Sequence, residues 1–352
     1  MKTSGHVPRK RFGQNFLNSP GVVRKIVEAI APRPADRMVE IGPGLAALTE
    51  PLLAVLDRLD AVEIDRDLIA DLQRRFPAEK LVIHEGDALA FDFAPLGDDL
   101  RIVGNLPYNI STPLLFHLAG FADRVKDMHF MLQKEVVDRI VVAAGSAEYG
   151  RLSVMLQYRF HVERLFVVPP GAFTPAPKVD SAIVRLIPKP MAELRARDPE
   201  CFGRLVTAAF SQRRKMFRNT LREWVAEAEL AALGIEPTAR AETVAVADYV
   251  RLANLVSGRQ PAFPADKKYR PAVRAAERCA GDSGGRGLVL LGGAGVDAQQ
   301  RIGGAEFGGS RGDRQQADPR PYRAAESGPG HQRYSGANSQ NLVDTANVRF
   351  HD

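Results

Sequence analysis

Through the first 258 positions, apolar residues fall in short runs that alternate between two periods. Val22, Val23, Ile26, Val27 and Ile30 lie on one face of a helix. Met38–Ile41 is a short strand that runs into Gly42-Pro43-Gly44, and 49–59 reads as the helix after it. The alternation continues with strands at 59–64, 81–84, 100–103 and 129–132, and helices at 66–76, 112–118 and 134–143. Strand and helix in strict turn predict an α/β fold: a Rossmann-like, doubly wound, mostly parallel sheet. The segments 151–157, 162–168 and 181–187 read as β structure at the end of that sheet. After Pro188-Lys189-Pro190 the pattern turns helical to Val256. The expected organisation is a catalytic, cofactor-binding domain over 1–190, with a basic N-terminal segment 1–25, and a small α-helical domain over 191–258.

Beyond residue 258 the periodicity fades. Residues 259–352 hold 15 of the 30 glycines but only 13 Leu, Ile, Val and Phe. That apolar share is too low for a packed core. We read this stretch as a disordered or non-native extension, the latter as from an unselected reading frame. A weakly basic RNA-binding tail and a small folded domain are the other readings. The charge balance supports the division. The chain carries +6 overall, yet the 14 basic and 10 acidic residues after 258 account for most of it, leaving the body nearly neutral. Bulk charge is therefore weak evidence of a polyanionic partner. No apolar run is long enough for a membrane span, and the first residues lead into basic positions rather than an apolar signal core, so secretion is not expected. Cys201 and Cys279 are far apart and the seven histidines lack ligand spacing, so neither a metal site nor a disulfide is expected. A cytoplasmic, monomeric protein follows as the expectation.

The candidate chemistry begins at Gly42-Pro43-Gly44, between a strand and a helix. Glycine there lets backbone approach a ligand closely. Glu63 ends the second strand, 21 residues after Gly42, where a carboxylate can accept both hydroxyls of a ribose. Asp87 ends the third, where it can accept from an adenine amino group. In an open α/β sheet these strand ends face one crevice. N-capping and turn chemistry is the plainer alternative for these acids. A nicotinamide dinucleotide and S-adenosylmethionine both fit up to this point.

Asn105-Leu106-Pro107-Tyr108, at the fourth strand end, separates the two. A hydride-transfer enzyme has no need of it. Methylation of an exocyclic base amine does, because the adenine N6 lone pair is delocalised into the ring. Hydrogen bonds from N6 to the Asn105 side-chain oxygen and to a backbone carbonyl near Leu106 favour a more nucleophilic nitrogen. Pro107 fixes the turn, and Tyr108 offers a ring on which an unstacked base can lie.

Together these stretches resemble the ribosomal RNA adenine N6,N6-dimethyltransferases, the kasugamycin-sensitivity methyltransferases of bacteria. The matching segments are Arg11-Phe-Gly-Gln-Asn-Phe-Leu17, Val39-Glu-Ile-Gly-Pro-Gly-Leu45, Val62-Glu-Ile-Asp-Arg-Asp67 and Gly86-Asp-Ala88. They continue with Gly104-Asn-Leu-Pro-Tyr-Asn-Ile-Ser111, Met131-Leu-Gln-Lys-Glu135, Pro170-Gly-Ala-Phe-Thr-Pro175, Pro177-Lys-Val-Asp-Ser181 and Gln212-Arg-Arg-Lys215. The resemblance covers roughly 8–257, and the remainder departs from the family pattern. It implies that Gln14, Asn15 and Leu17 close over S-adenosylmethionine, with Gly42 and Gly44 packed on it. Glu63 would hold its ribose, and Asp87 with Ala88 its adenine. Asn105, which would also contact the donor, would hold the target adenine with Leu106 and Tyr108, and Phe173 would stack on its other face. The implied reaction is dimethylation of two adjacent adenines in the 3′-terminal hairpin loop of 16S rRNA, with a role in small-subunit biogenesis.

Placement of charge adds an RNA-binding expectation. Arg9, Lys10 and Arg11 lie in an N-terminal segment without acids. Arg213, Arg214, Lys215, Arg218 and Arg222 lie in what reads as one helix, with 214, 218 and 222 as a stripe. Lys178 joins them. Competing readings are methylation of large-subunit rRNA, a donor-binding assembly or transcription module without catalysis, and, more distantly, a dehydrogenase.

Overall fold

The structure is a computed structural model, and it describes residues 15–212 and 214–259. A seven-stranded sheet organises them. In chain order its strands are β2 (Met38–Ile41), β3 (Leu59–Glu63), β4 (Leu81–Glu85), β5 (Leu100–Asn105), β6 (Val125–Gln133), β7 (Phe160–Val168) and β9 (Ser181–Pro188). Their spatial order is β4-β3-β2-β5-β6-β9-β7. Pairings from β4 to β6 are parallel, and β9 and β7 close the sheet antiparallel. Strand order reverses between β2 and β5, so a crevice opens there at the carboxyl ends. A two-stranded pair, β1 (Phe16–Leu17) with β8 (Phe173–Thr174), lies outside the main sheet.

The helices are α1 (Pro20–Ile30), α2 (Thr49–Leu53), α3 (Arg66–Arg75), α4 (Ser111–Ala119), α5 (Lys134–Val141) and α6 (Arg151–Arg159). They continue with α7 (Pro199–Ala209), α8 (Phe217–Thr220), α9 (Glu227–Ala232) and α10 (Val246–Val256). Local chemistry sets several of their ends. Asp65 caps α3 by accepting the Asp67 N–H, and Arg74 and Arg75 occupy its last turn. Asp198 caps α7 by accepting from Glu200 and Cys201. One hydrophobic cluster includes Ile102, Leu114, Phe130 and Val184; another includes Ile26, Leu52, Leu59 and Val103. All four residues of β2 are buried, as expected for a strand covered on both faces. A third cluster gathers α7–α10 around Phe202, Leu205, Phe217 and Tyr249, and draws in Tyr149 and Val154.

Three sequence expectations need correction. Residues 151–157 are the helix α6, not β structure. Leu152 and Leu156 of α6 pack in the cluster of Ile102, whereas Val154, Met155 and Tyr158 pack in that of Phe202. A helix wedged between two cores is apolar on more than one side, so its 3.6 period is blurred. Its Gly150 N–H is satisfied by Ser153 Oγ at 3.0 Å. The second correction concerns 211–222, which is not one helix. After a 3₁₀ turn over Phe210–Gln212, only the single turn α8 forms. The Phe217 N–H donates to Ala239 O at 2.8 Å and the Arg218 N–H to Pro237 O at 3.1 Å. Those donors are spent on another segment, so no continuous helix carries the Arg214–Arg218–Arg222 stripe. The expected helix 49–59 also ends early, at Leu53.

Candidate active site

The crevice at the strand reversal is a solvent-open cleft with a cavity volume of about 120 Å³. Its lining brings together Asn15, Leu17, Gly42, Gly44, Glu63, Asp87, Ala88, Asn105, Leu106, Pro107 and Tyr108, all of them expected from the sequence. Gln14, Arg9, Lys10, Arg11 and Arg213 lie outside the described residues.

The floor comes from the turn after β2. Gly44 has φ +57°, and a Cβ there would meet Phe16 Cε1 at 3.3 Å, so any other residue would be strained in backbone and crowded against that ring. Its N–H points to Glu63 Oε2 at 3.3 Å, while Ile64 and Asp65 donate to Glu63 Oε1 at 2.9 and 3.0 Å. Three N–H donors thus orient a carboxylate that is only 5% exposed. Burial nevertheless raises its proton affinity, and the backbone hydrogen bonds offset only part of that. Gly104 permits the two halves of the crevice to meet, since a Cβ there would lie 2.6 Å from Ile41 O.

Glu40 lines the same cleft and was not anticipated. It is 2% exposed, and Thr49 Oγ1 donates to its Oε2 at 2.7 Å. Burial first, and the neighbouring Glu63 charge second, push its pKa up to about 7 against the Thr49 hydrogen bond. Its position within Val39-Glu40-Ile41, an acid inside an apolar strand, was the available signal. Ile64 was also missed: an apolar side chain 46% exposed within the cleft, between two acids. Asp87 is exposed, and its Oδ1 accepts from Leu89 N–H at 2.9 Å.

The other wall comes from the end of β5. Asn105 Nδ2 donates to the Asn15 carbonyl at 2.9 Å. With the amide nitrogen so committed, Oδ1 is the acceptor end of that side chain. The Leu106 side chain is buried and its N–H donates to Met131 O at 3.1 Å. Pro107 O accepts from Ile110 N–H, closing the turn, and Ser111 Oγ donates to Tyr108 O at 3.0 Å. The Tyr108 hydroxyl lies 2.7 Å from Ser181 Oγ, and partial burial raises its pKa despite that contact.

Phe173 is not brought to the cleft lining. It is 4% exposed, packed in the hydrophobic cluster of Leu17 and Val168, and its backbone pairs with Leu17. Lys178, Arg214, Lys215, Arg218 and Arg222 are exposed. Arg218 pairs with Glu227 at 3.9 Å and Arg222 with Glu223 at 3.8 Å. Among the described residues no cluster of three or more His, Cys, Asp or Glu could hold a metal ion. None of the described helices is long and apolar enough to cross a membrane.

This donor set fits S-adenosylmethionine: buried carboxylates that pair with no cation among the described residues suit a positively charged ligand, and oriented acceptors suit a ribose. Comparison with known proteins agrees. The ribosomal RNA small subunit methyltransferase A of Aromatoleum aromaticum is 62% identical over 258 residues, 73% of this chain and 97% of that protein. A dimethyladenosine transferase structure from Plasmodium falciparum is 28% identical with a TM-score of 0.60, covering 67% of this chain and 95% of that one. The 23S rRNA methyltransferase ErmE is 25% identical with a TM-score of 0.52, covering 69% of this chain and all of the other. With residues 5–257 matching the family described as ribosomal RNA adenine dimethylase, the chain belongs to that family and is an S-adenosylmethionine-dependent rRNA adenine dimethyltransferase.

Proposed function

We propose that the enzyme dimethylates N6 of two adjacent adenines in the 3′-terminal hairpin loop of 16S rRNA, in the cytoplasm, as a monomer acting on the assembling small subunit. The single observation that carries the target-base reading is the held amide of Asn105 beside Tyr108 in the cleft. Asn105 Oδ1 accepts one N6 hydrogen, and a backbone carbonyl near Leu106 accepts the other. Tyr108 supports the base plane. Glu63 and Asp87 hold the ribose and adenine of the donor, which supplies an electrophilic methyl group. Catalysis is then positioning and desolvation, with no strong general base.

Residues 1–190 would form the catalytic domain and 191–258 an rRNA-binding one. There Arg213, Arg214, Lys215, Arg218 and Arg222, together with Lys178 and Arg9–Arg11, would touch phosphates rather than bases. Phe173 could serve as a second ring only after β8 leaves β1. Residues 259–352 would contribute nothing to methyl transfer.

The test is transfer from labelled S-adenosylmethionine to unmethylated small subunits, with primer extension on both rRNAs to locate the product. Asn105→Ala and Tyr108→Ala are each expected to lose activity by roughly 100-fold or more, the scale of a misplaced reacting group. Donor affinity should change far less. Full activity in both variants would overturn the mechanism, and product on large-subunit rRNA would overturn the substrate assignment.

A further inference from the structure

Tyr108 stands on a turn, and a turn alone is a poor foundation for a stacking surface. Its ring is nevertheless tied at the far end. The hydroxyl meets Ser181 Oγ at 2.7 Å, 73 residues away in sequence. Ser181 has no exposed surface. It is the first residue of β9, paired on one side with Gln133 of β6 and on the other with Val168 of β7. The carbonyl just before it, of Asp180, accepts from the Lys134 N–H at 2.9 Å. The hydroxyl of Ser181 is therefore carried by backbone held on both flanks in the antiparallel half of the sheet. The Tyr108 ring is fixed at its base by the Pro107–Ile110 turn and at its tip by the sheet.

We propose that Ser181 is a positioning residue that sets the Tyr108 ring at the height and tilt the target base requires. This rests on the reading of Tyr108 as the base platform. The consequence differs between the two methyl transfers. An unmethylated N6 offers two N–H donors, to Asn105 Oδ1 and to a backbone carbonyl. The monomethylated amine offers one. The second transfer therefore depends more on the ring and less on hydrogen bonding, so loosening the ring must hurt it more.

The experiment uses the full chain with unmethylated small subunits and compares Ser181→Ala, Tyr108→Phe, the double variant and Tyr108→Ala. Each of the first two removes the same hydrogen bond from a different side. Each is expected to slow methyl transfer about 5- to 10-fold, the scale of one neutral hydrogen bond. The double variant should be no worse than the slower single one, because the bond can be lost only once. At matched conversion, the ratio of monomethyl- to dimethyladenine in digested rRNA should rise severalfold in all three. A fall in folded enzyme alone would leave that ratio unchanged. S-adenosylhomocysteine affinity should stay within about twofold, since Ser181 is not part of the cleft lining. Independent, multiplying losses, or an unchanged product ratio, would overturn the role of Ser181. Full activity in Tyr108→Ala would instead overturn the platform reading itself.

Discussion

Carboxylates stand at both ends of the parallel sheet, part-buried at one and buried at the other, with opposite surroundings. At the amino ends, Arg101 lies between Asp36 and Asp127, with nitrogen–oxygen distances of 2.6 and 3.0 Å. Arg101 also donates to the carbonyls of Ile30 and Ala31. Burial alone would raise the proton affinity of both acids. Hydrogen bonds from Arg101, with the Arg33 N–H on Asp36 and His129 beside Asp127, more than reverse it. At the carboxyl ends, Glu40 and Glu63 are more deeply buried, no cation among the described residues compensates them, and both are raised. Two acids with an arginine between them form a closed structural joint. Two acids without one form a site that awaits positive charge from outside. The contrast distinguishes a ligand cleft from a polar core more sharply than burial does.

The largest expected effect breaks the closed end. Arg101→Met leaves the part-buried Asp36 and Asp127 with only Lys126 and His129 beside them, and takes a donor from two carbonyls. Loss of one member of such a cluster costs about 3–5 kcal/mol. Urea unfolding near pH 7 measures it. A loss under about 1 kcal/mol would show that the cluster is open to water and the contrast false. The sign with pH is also set. Both acids are held below 3.8, so their contribution is fully present above that value and disappears as pH falls through their folded pKa values.

That joint was invisible in the sequence, whereas much of the cleft was not. β2, β3 and β5 were legible because strands buried on both faces read as apolar runs, and the partly exposed β4 because a shorter apolar run ends at Gly86-Asp87. Gly42, Glu63, Asp87 and Asn105 were legible for the same reason: they sit where those runs stop. What escaped depends on partners distant in the chain. Arg101 meets Asp36 and Asp127 only through the parallel register of β2, β5 and β6. Ser181 meets Tyr108, and Leu17 meets Phe173, across gaps no periodicity spans. The 214–222 segment is not a continuous helix because donors at 217 and 218 bond to 239 and 237, a tertiary choice that overrides local pattern.

A middle-sized effect tests the open end. Glu63→Gln keeps size but removes charge, and whichever way the amide turns, an N–H or NH₂ group faces one of the three donors now on the carboxylate. A charge-assisted contact to a ribose hydroxyl is lost as well. Affinity for S-adenosylhomocysteine should fall about 10- to 100-fold, matching ~1.5–3 kcal/mol for such bonds. Calorimetric titration measures it. Binding within twofold of the parent would remove Glu63 from the donor site.

The smallest effect sharpens the comparison most, because it asks whether Glu40 carries an energetic cost that Asp36 does not. Its folded pKa of about 7 stands above the ordinary 4.5. Below 4.5 the group is protonated folded and unfolded alike, and it costs nothing. Between those values the unfolded chain ionises while the folded one keeps its proton. Stability therefore falls as pH rises, by at most about 1.4 kcal/mol per unit for one proton. Glu40→Gln retains an acceptor for Thr49 but cannot ionise. Its stability in urea should equal the parent's near pH 4 and exceed it by about 1 kcal/mol or more at pH 8. S-adenosylmethionine carries a sulfonium charge that S-adenosylhomocysteine lacks, so saturating the parent with it should flatten the pH slope more than the product does. Identical slopes for parent and variant would mean Glu40 is already compensated, and the two ends of the sheet would then differ only in shape.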